Sequence, residues 1–241
     1  MSEPAIQFDH FSYTYEDGTR ALEDVTFTVF RGESVGLIGH NGSGKSTILM
    51  HIVGILTPDS RVSVAGHPVT PSTLAEIRNK VGYVFQDPRD QLFMSTVSED
   101  VAFGPLNRGL NAHDALKEAG RALELVGLGG FGERISYHLS GGEMRRASIA
   151  TVLAMSPEII VMDEPSTGLD PRAQRELAAL ISDFRCHSTG HDCTKLISSH
   201  NLEFIRTCTD RILLINKGRI VADSSTEEIL DDSGLLIENG L

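Results

Sequence analysis

Three short stretches carry residue types at spacings that do phosphate chemistry. Gly39-His-Asn-Gly-Ser-Gly-Lys45-Ser46, followed by Thr47, fills the pattern G-x-x-x-x-G-K-[ST]. Glycines at such spacing let backbone N–H groups turn inward around phosphate oxygens. A helix beginning there adds the positive end of its dipole. Gly39, Asn41, Gly42, Ser43 and Gly44 then form the cradle, Lys45 reaches the outer phosphates, Ser46 offers a hydroxyl to Mg²⁺, and Thr47 is placed for the innermost phosphate. The second stretch, Ile159-Ile-Val-Met-Asp163-Glu164, is an apolar run ending in two carboxylates. Asp163 suits the outer shell of a hard cation that keeps several waters. Glu164 is then free to act as general base toward an attacking water. Third, Leu139-Ser140-Gly141-Gly142-Glu143 reads as a capped, glycine-rich helix start, either a plain helix cap or a second anion-binding device. Two such devices in one chain favour a nucleotide shared between chains.

The elements around them must hold these groups in place. Ala5 to Phe8, Asp24 to Phe30, Arg61 to Ala65 and Val81 to Phe85 read as strands. Ser34 to Ile38 is a short strand feeding the glycine loop, and Ser46 to Leu56 a helix leaving it. Val97 to Val126 shows one long helical pattern, with Ala115, Ala119, Ala122, Leu123 and Val126 on one face. A further helix runs from Gly141 to about Ala154. Strand and helix then alternate through Ile159 to Met162, Pro171 to Phe184, Lys195 to Ser198 and Arg211 to Ile215. Such alternation predicts an α/β core around a mostly parallel sheet, with the helical middle inserted as a second lobe.

Bulk properties narrow the classes. The chain has 241 residues, 40% hydrophobic and 22% charged, with a net charge of −12. That charge argues against a nucleic-acid partner, because phosphate neutralisation needs clustered Lys and Arg. Three cysteines make no disulfide framework and favour a reducing compartment. No apolar run approaches the ~20 residues that cross a bilayer, and the polar N-terminus is not a secretory signal. A soluble protein is expected, with any membrane role supplied by a partner.

Together these motifs resemble the nucleotide-binding subunit of an ATP-binding cassette (ABC) transporter, over nearly the whole chain. GHNGSGKST resembles that family's Walker A loop, LSGGE its signature, IIVMDE its Walker B strand, STGLD with Asp170 its D-loop, and ISSH ending in His200 its switch loop. Gln86 in YVFQDP matches the Q-loop glutamine, and Tyr15 the adenine-stacking aromatic. The resemblance implies a P-loop NTPase (RecA-like) core with an N-terminal antiparallel β subdomain. It also implies an inserted helical signature subdomain, placing the core lobe at 1–86 and 157–241 and the helical lobe at about 87–156. ATP with Mg²⁺ is the implied ligand. His200 is implied near the γ-phosphate, and Gln86 near Mg²⁺ and the attacking water. A second ATPase subunit, identical in the simplest case, closes head to tail so that Ser140, Gly141 and Gly142 of one chain face the other's Walker A loop. Two departures stand out: Glu143 where the family more often has Gln, and His40 where Pro is frequent.

Gln86-Asp-Pro-Arg-Asp-Gln91-Leu-Phe93 and TVSEDVAFGPLNRGL resemble the same region in ATPases of energy-coupling factor (ECF) importers, which serve cobalt, nickel and vitamins. Leu92 and Phe93 are expected to anchor a transmembrane partner's coupling helix, the alternative being that both are core residues. An ending at Leu241, shorter than many vitamin-group relatives, favours the cobalt or nickel branch, with biotin as the alternative. The implied location is peripheral, on the cytoplasmic face of the cell membrane. A soluble ABC ATPase and a phosphate-loop kinase are the other readings. Cys186, His187, His191 and Cys193 are four soft donors at a spacing that matches no standard zinc pattern.

Overall fold

The computed structural model describes residues 3–184 and 193–241. Strands β1 (Pro4–Thr14), β2 (Arg20–Phe30), β4 (Val62–Val64) and β5 (His67–Pro68) form an antiparallel sheet in the order β2-β1-β4-β5. A six-stranded sheet takes the order β10-β9-β3-β8-β7-β6, from β3 (Ser34–Ile38), β6 (Val81–Val84), β7 (Ile159–Asp163), β8 (Thr194–Ser198), β9 (Arg211–Asn216) and β10 (Arg219–Ser225). Its neighbours pair in parallel, except that β10 returns antiparallel on β9.

Period-two alternation splits the core in two. Val35 and Leu37 of β3 and Ile159 and Val161 of β7 join the antiparallel sheet and helix α1 (Lys45–Ile52) in one cluster. Ile38, Ile160 and Met162 point to the opposite cluster. That second cluster takes in α3 (Val97–Asn107), α4 (Ala112–Leu125), α5 (Gly141–Leu153), α6 (Pro171–Ser182) and α7 (Leu202–Cys208). Short helices α2 (Leu74–Lys80), α8 (Thr226–Asp231) and α9 (Ser233–Glu238) complete the chain.

Several expected boundaries move. The single helical run from Val97 to Val126 is two helices, because Gly109 takes φ +91° and Asn111 caps a new start by accepting from Asp114 N at 3.0 Å. α1 stops at Ile52 rather than Leu56, before Gly54 at φ +61°. β2 begins at Arg20, four residues early, since it continues through an irregularity at Asp24, whose φ is +53°. No described helix is long and apolar enough to cross a membrane.

Leu92 and Phe93 separate. Leu92 is 1% exposed within the core, so it anchors the helical lobe and not a partner. Phe93 is 56% exposed and meets Phe103 edge to face at 5.0 Å. Strand spacing cannot reveal this, because a buried Asp100 turns the segment by accepting from both Phe93 N and Met94 N at 2.8 Å. Cys186, His187 and His191 lie outside the described residues. Cys193 is buried, its Sγ 3.9 Å from the Pro157 carbonyl.

Candidate functional site

β3 drives straight into the glycine loop, and the loop's tight path explains its composition. A Cβ at Gly39 would come within 2.2 Å of the Ile215 carbonyl, and Gly44 combines φ +114° with Leu22 at 2.8 Å. Gly44 is the N-cap of α1 and supplies no side-chain cap, so the first turn keeps its unpaired N–H donors. Ser43 packs wholly buried behind the loop. Lys45, 6% exposed, donates to the Gly39 carbonyl at 2.8 Å and the His40 carbonyl at 3.2 Å, which folds its ammonium into the cradle. Burial pushes the Lys45 pKa down, while the carboxylates of Glu164 and Asp163 pull it back up.

The carboxyl end of β7 brings the acidic pair to the same place. Asp163 is 3% exposed, and its Oδ1 accepts from Ser198 Oγ at 2.6 Å. Glu164 sits at φ +46°, an uncommon conformation for a non-glycine residue. Its N–H holds that bend by donating to Ser198 Oγ at 3.0 Å and the Ser198 carbonyl at 3.1 Å. The carboxylate then lies between Lys45 and His200: Oε1 is 3.8 Å from Lys45 Nζ, and Oε2 is 2.8 Å from His200 Nδ1. Oε1 is buried with no hydrogen-bond partner among the described residues. That leaves one lone-pair face for a water or cation.

A cleft of about 490 Å³ opens over this arrangement. Tyr15, Gln86 and Glu164 line it together with Asn41, Gly42 and the stretch Gly44 to Thr47. Tyr15 is fixed by a 3.0 Å hydrogen bond between its hydroxyl and that of Thr47. Ser46, Asp163 and Gln86 are all oxygen donors, which fits Mg²⁺, an ion usually held by few protein ligands plus phosphates and water. Among the described residues no trio of His, Cys, Asp and Glu forms a metal cluster.

Two expected nucleotide-facing groups lie elsewhere in the chain. Ser140 opens α5 with a complete capping box: its N–H donates to Glu143 Oε2 at 2.8 Å, its hydroxyl to the same oxygen at 2.7 Å, and Glu143 N returns to Ser140 Oγ. Ser140, Gly141 and Gly142 do not line the cleft of their own chain. Asp170 caps α6, accepting from Arg172 N at 2.9 Å and Ala173 N at 2.8 Å. Sequence reasoning missed Ser198, which donates to the Asp163 carboxylate and accepts from the Glu164 backbone N–H, and the cleft-lining Thr19 and Arg20. A serine closing the strand Thr194–Ser198 is the trace Ser198 leaves.

The family profile described as ABC transporter matches residues 22–167. The energy-coupling factor transporter ATP-binding protein of Methanothermobacter thermautotrophicus is 44% identical over 234 residues, covering 96% of this chain and 74% of the relative. Among solved structures, cbiO1 from Clostridium perfringens, part of the ABC transporter complex cbiONQ, superposes with a TM-score of 0.85 at 30% identity, covering 98% of this chain and 94% of that one. The ATP-binding cassette MJ0796, solved as a dimer in a post-hydrolysis state bound to ADP and phosphate, gives 0.80 at 26% identity, covering 92% of this chain and 98% of that one. With a phosphate loop, an acidic strand end and a capped signature helix in one P-loop fold, the chain belongs to the ABC transporter family, as an ATP-hydrolysing subunit of the ECF type.

Proposed function

We propose that this chain forms one half of a head-to-tail ATPase pair that drives an ECF importer for cobalt or nickel from the cytoplasmic face of the membrane. The observation carrying the hydrolytic part is the buried Glu164 carboxylate, set between Lys45 and His200 at the mouth of the phosphate cleft. There it orients the attacking water and takes its proton, while His200 holds the carboxylate and faces the γ-phosphate. Lys45 and the free N–H groups of α1 stabilise charge on the phosphates. Tyr15 stacks on the adenine. Ser46, Asp163 and Gln86 would hold Mg²⁺, which would supply positive charge against the phosphates.

The exclusion of Ser140 to Gly142 from their own chain's cleft supports a site completed by a second copy. Asp170, at the start of α6, falls to that same interface. The dimeric relative MJ0796 adds to this reading. The core lobe is assigned to 1–86 and 157–241 and the helical lobe to about 87–156. The exposed Phe93–Phe103 pair just after Gln86 supports docking of a transmembrane partner there. The ECF reading rests on the likeness of the Gln86 to Phe93 segment to such importers, which serve cobalt, nickel and vitamins, with a vitamin such as biotin the alternative cargo.

Replacing Glu164 with Gln tests the mechanism. ATP binding should persist while steady turnover falls by about 10²- to 10⁴-fold, the usual worth of a general base, and a closed dimer accumulates. Undiminished turnover would remove Glu164 from the role of base. Co-purification with membrane subunits and cobalt, nickel and biotin uptake assays test the rest; metal uptake independent of this chain sinks the substrate assignment.

A further inference from the structure

Arg145 is a cation buried to 2% exposure, in the second turn of α5, a few residues after the signature glycines. Among the described residues its guanidinium makes no ion pair. Instead Nη1 donates to the Phe85 carbonyl at 2.7 Å, and Nη2 donates to the carbonyl of Gln86 itself. A second side chain ties the same stretch from the other direction. Gln91 accepts from Phe85 N at 3.2 Å through Oε1 and donates through Nε2 to the Ser148 carbonyl at 2.9 Å and to Thr151 Oγ1 at 2.6 Å, both on α5. Phe85 is thus clamped at its N–H and its carbonyl, and Gln86 at its carbonyl, by groups that belong to or bind the signature helix.

Breaking the Arg145 contacts would strand a buried charge and two carbonyls, a costly state. Burial pushes the Arg145 pKa down to about 10, with Asp87 and Asp163 opposing the shift, so the guanidinium stays charged near neutral pH. The backbone before Phe85 is bound differently, because β6 ends at Val84 and pairs with β7 of the core sheet. Any rotation of α5 against that sheet therefore bends the chain between Val84 and Phe85 and takes Gln86 along.

We propose that Arg145, seconded by Gln91, is a positioning residue that makes Gln86 move as one body with the signature turn Ser140 to Gly142. A nucleotide gripped by that turn at the partner's site then sets where Gln86 stands in this chain's own cleft. The inference rests on the proposed role of Gln86 in the cleft.

The experiment is a mutant cycle on the full-length ATPase in complex with its transmembrane partners, with kcat, ATP KM and Tm read for each variant. Arg145→Gln and Gln91→Leu should each lower kcat by about 10-fold, as a displaced catalytic group does, with ATP KM changed less than about 2-fold. Gln86→Ala should lower kcat at least as far. Adding either latch substitution to Gln86→Ala should then cost nothing more, since its effect passes through Gln86. Arg145→Lys, which keeps the charge and some donors, should recover part of the loss. Multiplicative losses in the double variants, or wild-type kcat in both latch variants, overturn the latch. Wild-type kcat in Gln86→Ala instead overturns the reading of Gln86. If Arg145→Gln does not fold, the Gln91→Leu and Gln86→Ala pair completes the cycle alone.

Discussion

Helix α1 begins behind Gly44 with no side chain capping its first turn, whereas α5 begins behind Ser140 with a reciprocal cap from Glu143. Both are glycine-rich helix starts of the kind that attract phosphate. At α1 no side chain caps the first-turn donors among the described residues, and Lys45 already points into the cradle. At α5 the Glu143 carboxylate occupies the hydroxyl and N–H of Ser140. An approaching phosphate must therefore compete with a carboxylate already present. The first end lies open toward the cleft; under the proposed head-to-tail pairing, the second engages a nucleotide presented by another subunit.

That contrast can be broken at either end. Lys45→Ala should weaken ATP binding by about 10²-fold, given about 1.5–3 kcal/mol per charged hydrogen bond; unaltered affinity by titration calorimetry would deny the open end its cation. Acid should loosen α1 next. His51, 1% exposed in its last turn against Phe11 and Tyr13, has its pKa pushed down to about 4 by burial. The unfolded chain binds a proton at this site near pH 6.5 and the folded chain does not. Stability is thus full above pH 6.5 and declines as pH falls toward 4, by up to about 1.4 kcal/mol per unit. His51→Phe should flatten that part of the urea-midpoint curve, and an unchanged slope would contradict it.

Ser140→Ala removes the cap at the closed end and should cost about 0.5–2 kcal/mol, a Tm loss of a few degrees, together with ATP-driven dimerisation. ATP affinity of the isolated chain should hold, and its loss would erase the distinction between the two ends. Smallest is Glu143→Gln. Ser140 keeps a hydrogen-bond partner, so stability changes by less than about 1 kcal/mol. The ATP-dependent dimer should tighten a few-fold at moderate ionic strength, as a like charge leaves the phosphate's path. Weaker dimerisation by sedimentation would show that the carboxylate helps rather than competes. Ser140 hydrogen bonds hold the Glu143 carboxyl below its usual range, so its support for the cap persists above that range and disappears as pH falls through the lowered value.

The ends of elements were less legible than their kinds. Gly109 and Asn111 are ordinary turn residues, yet the apolar period running past them from Val97 to Val126 masked the break. Glycine at 54 marked the end of α1 only once the packing of Leu74 against it was visible. Leu92 and Phe93 are alike as a dipeptide; Asp100, hydrogen-bonded to the backbone beyond, buries one and exposes the other.

Sequence by itself determined the phosphate loop, the acidic strand end and the capped signature helix, because each depends on residues adjacent in the chain, where backbone geometry and spacing suffice. Only the tertiary structure decided that Glu164 lies between Lys45 and His200, that Ser198 ties the Asp163 carboxylate to the Glu164 backbone, and that Arg145 grips the carbonyl of Gln86. Those contacts join residues tens to over a hundred positions apart. Their energies come from burial and hydrogen-bond satisfaction, which arise only when the parallel sheet brings its strand ends to one edge.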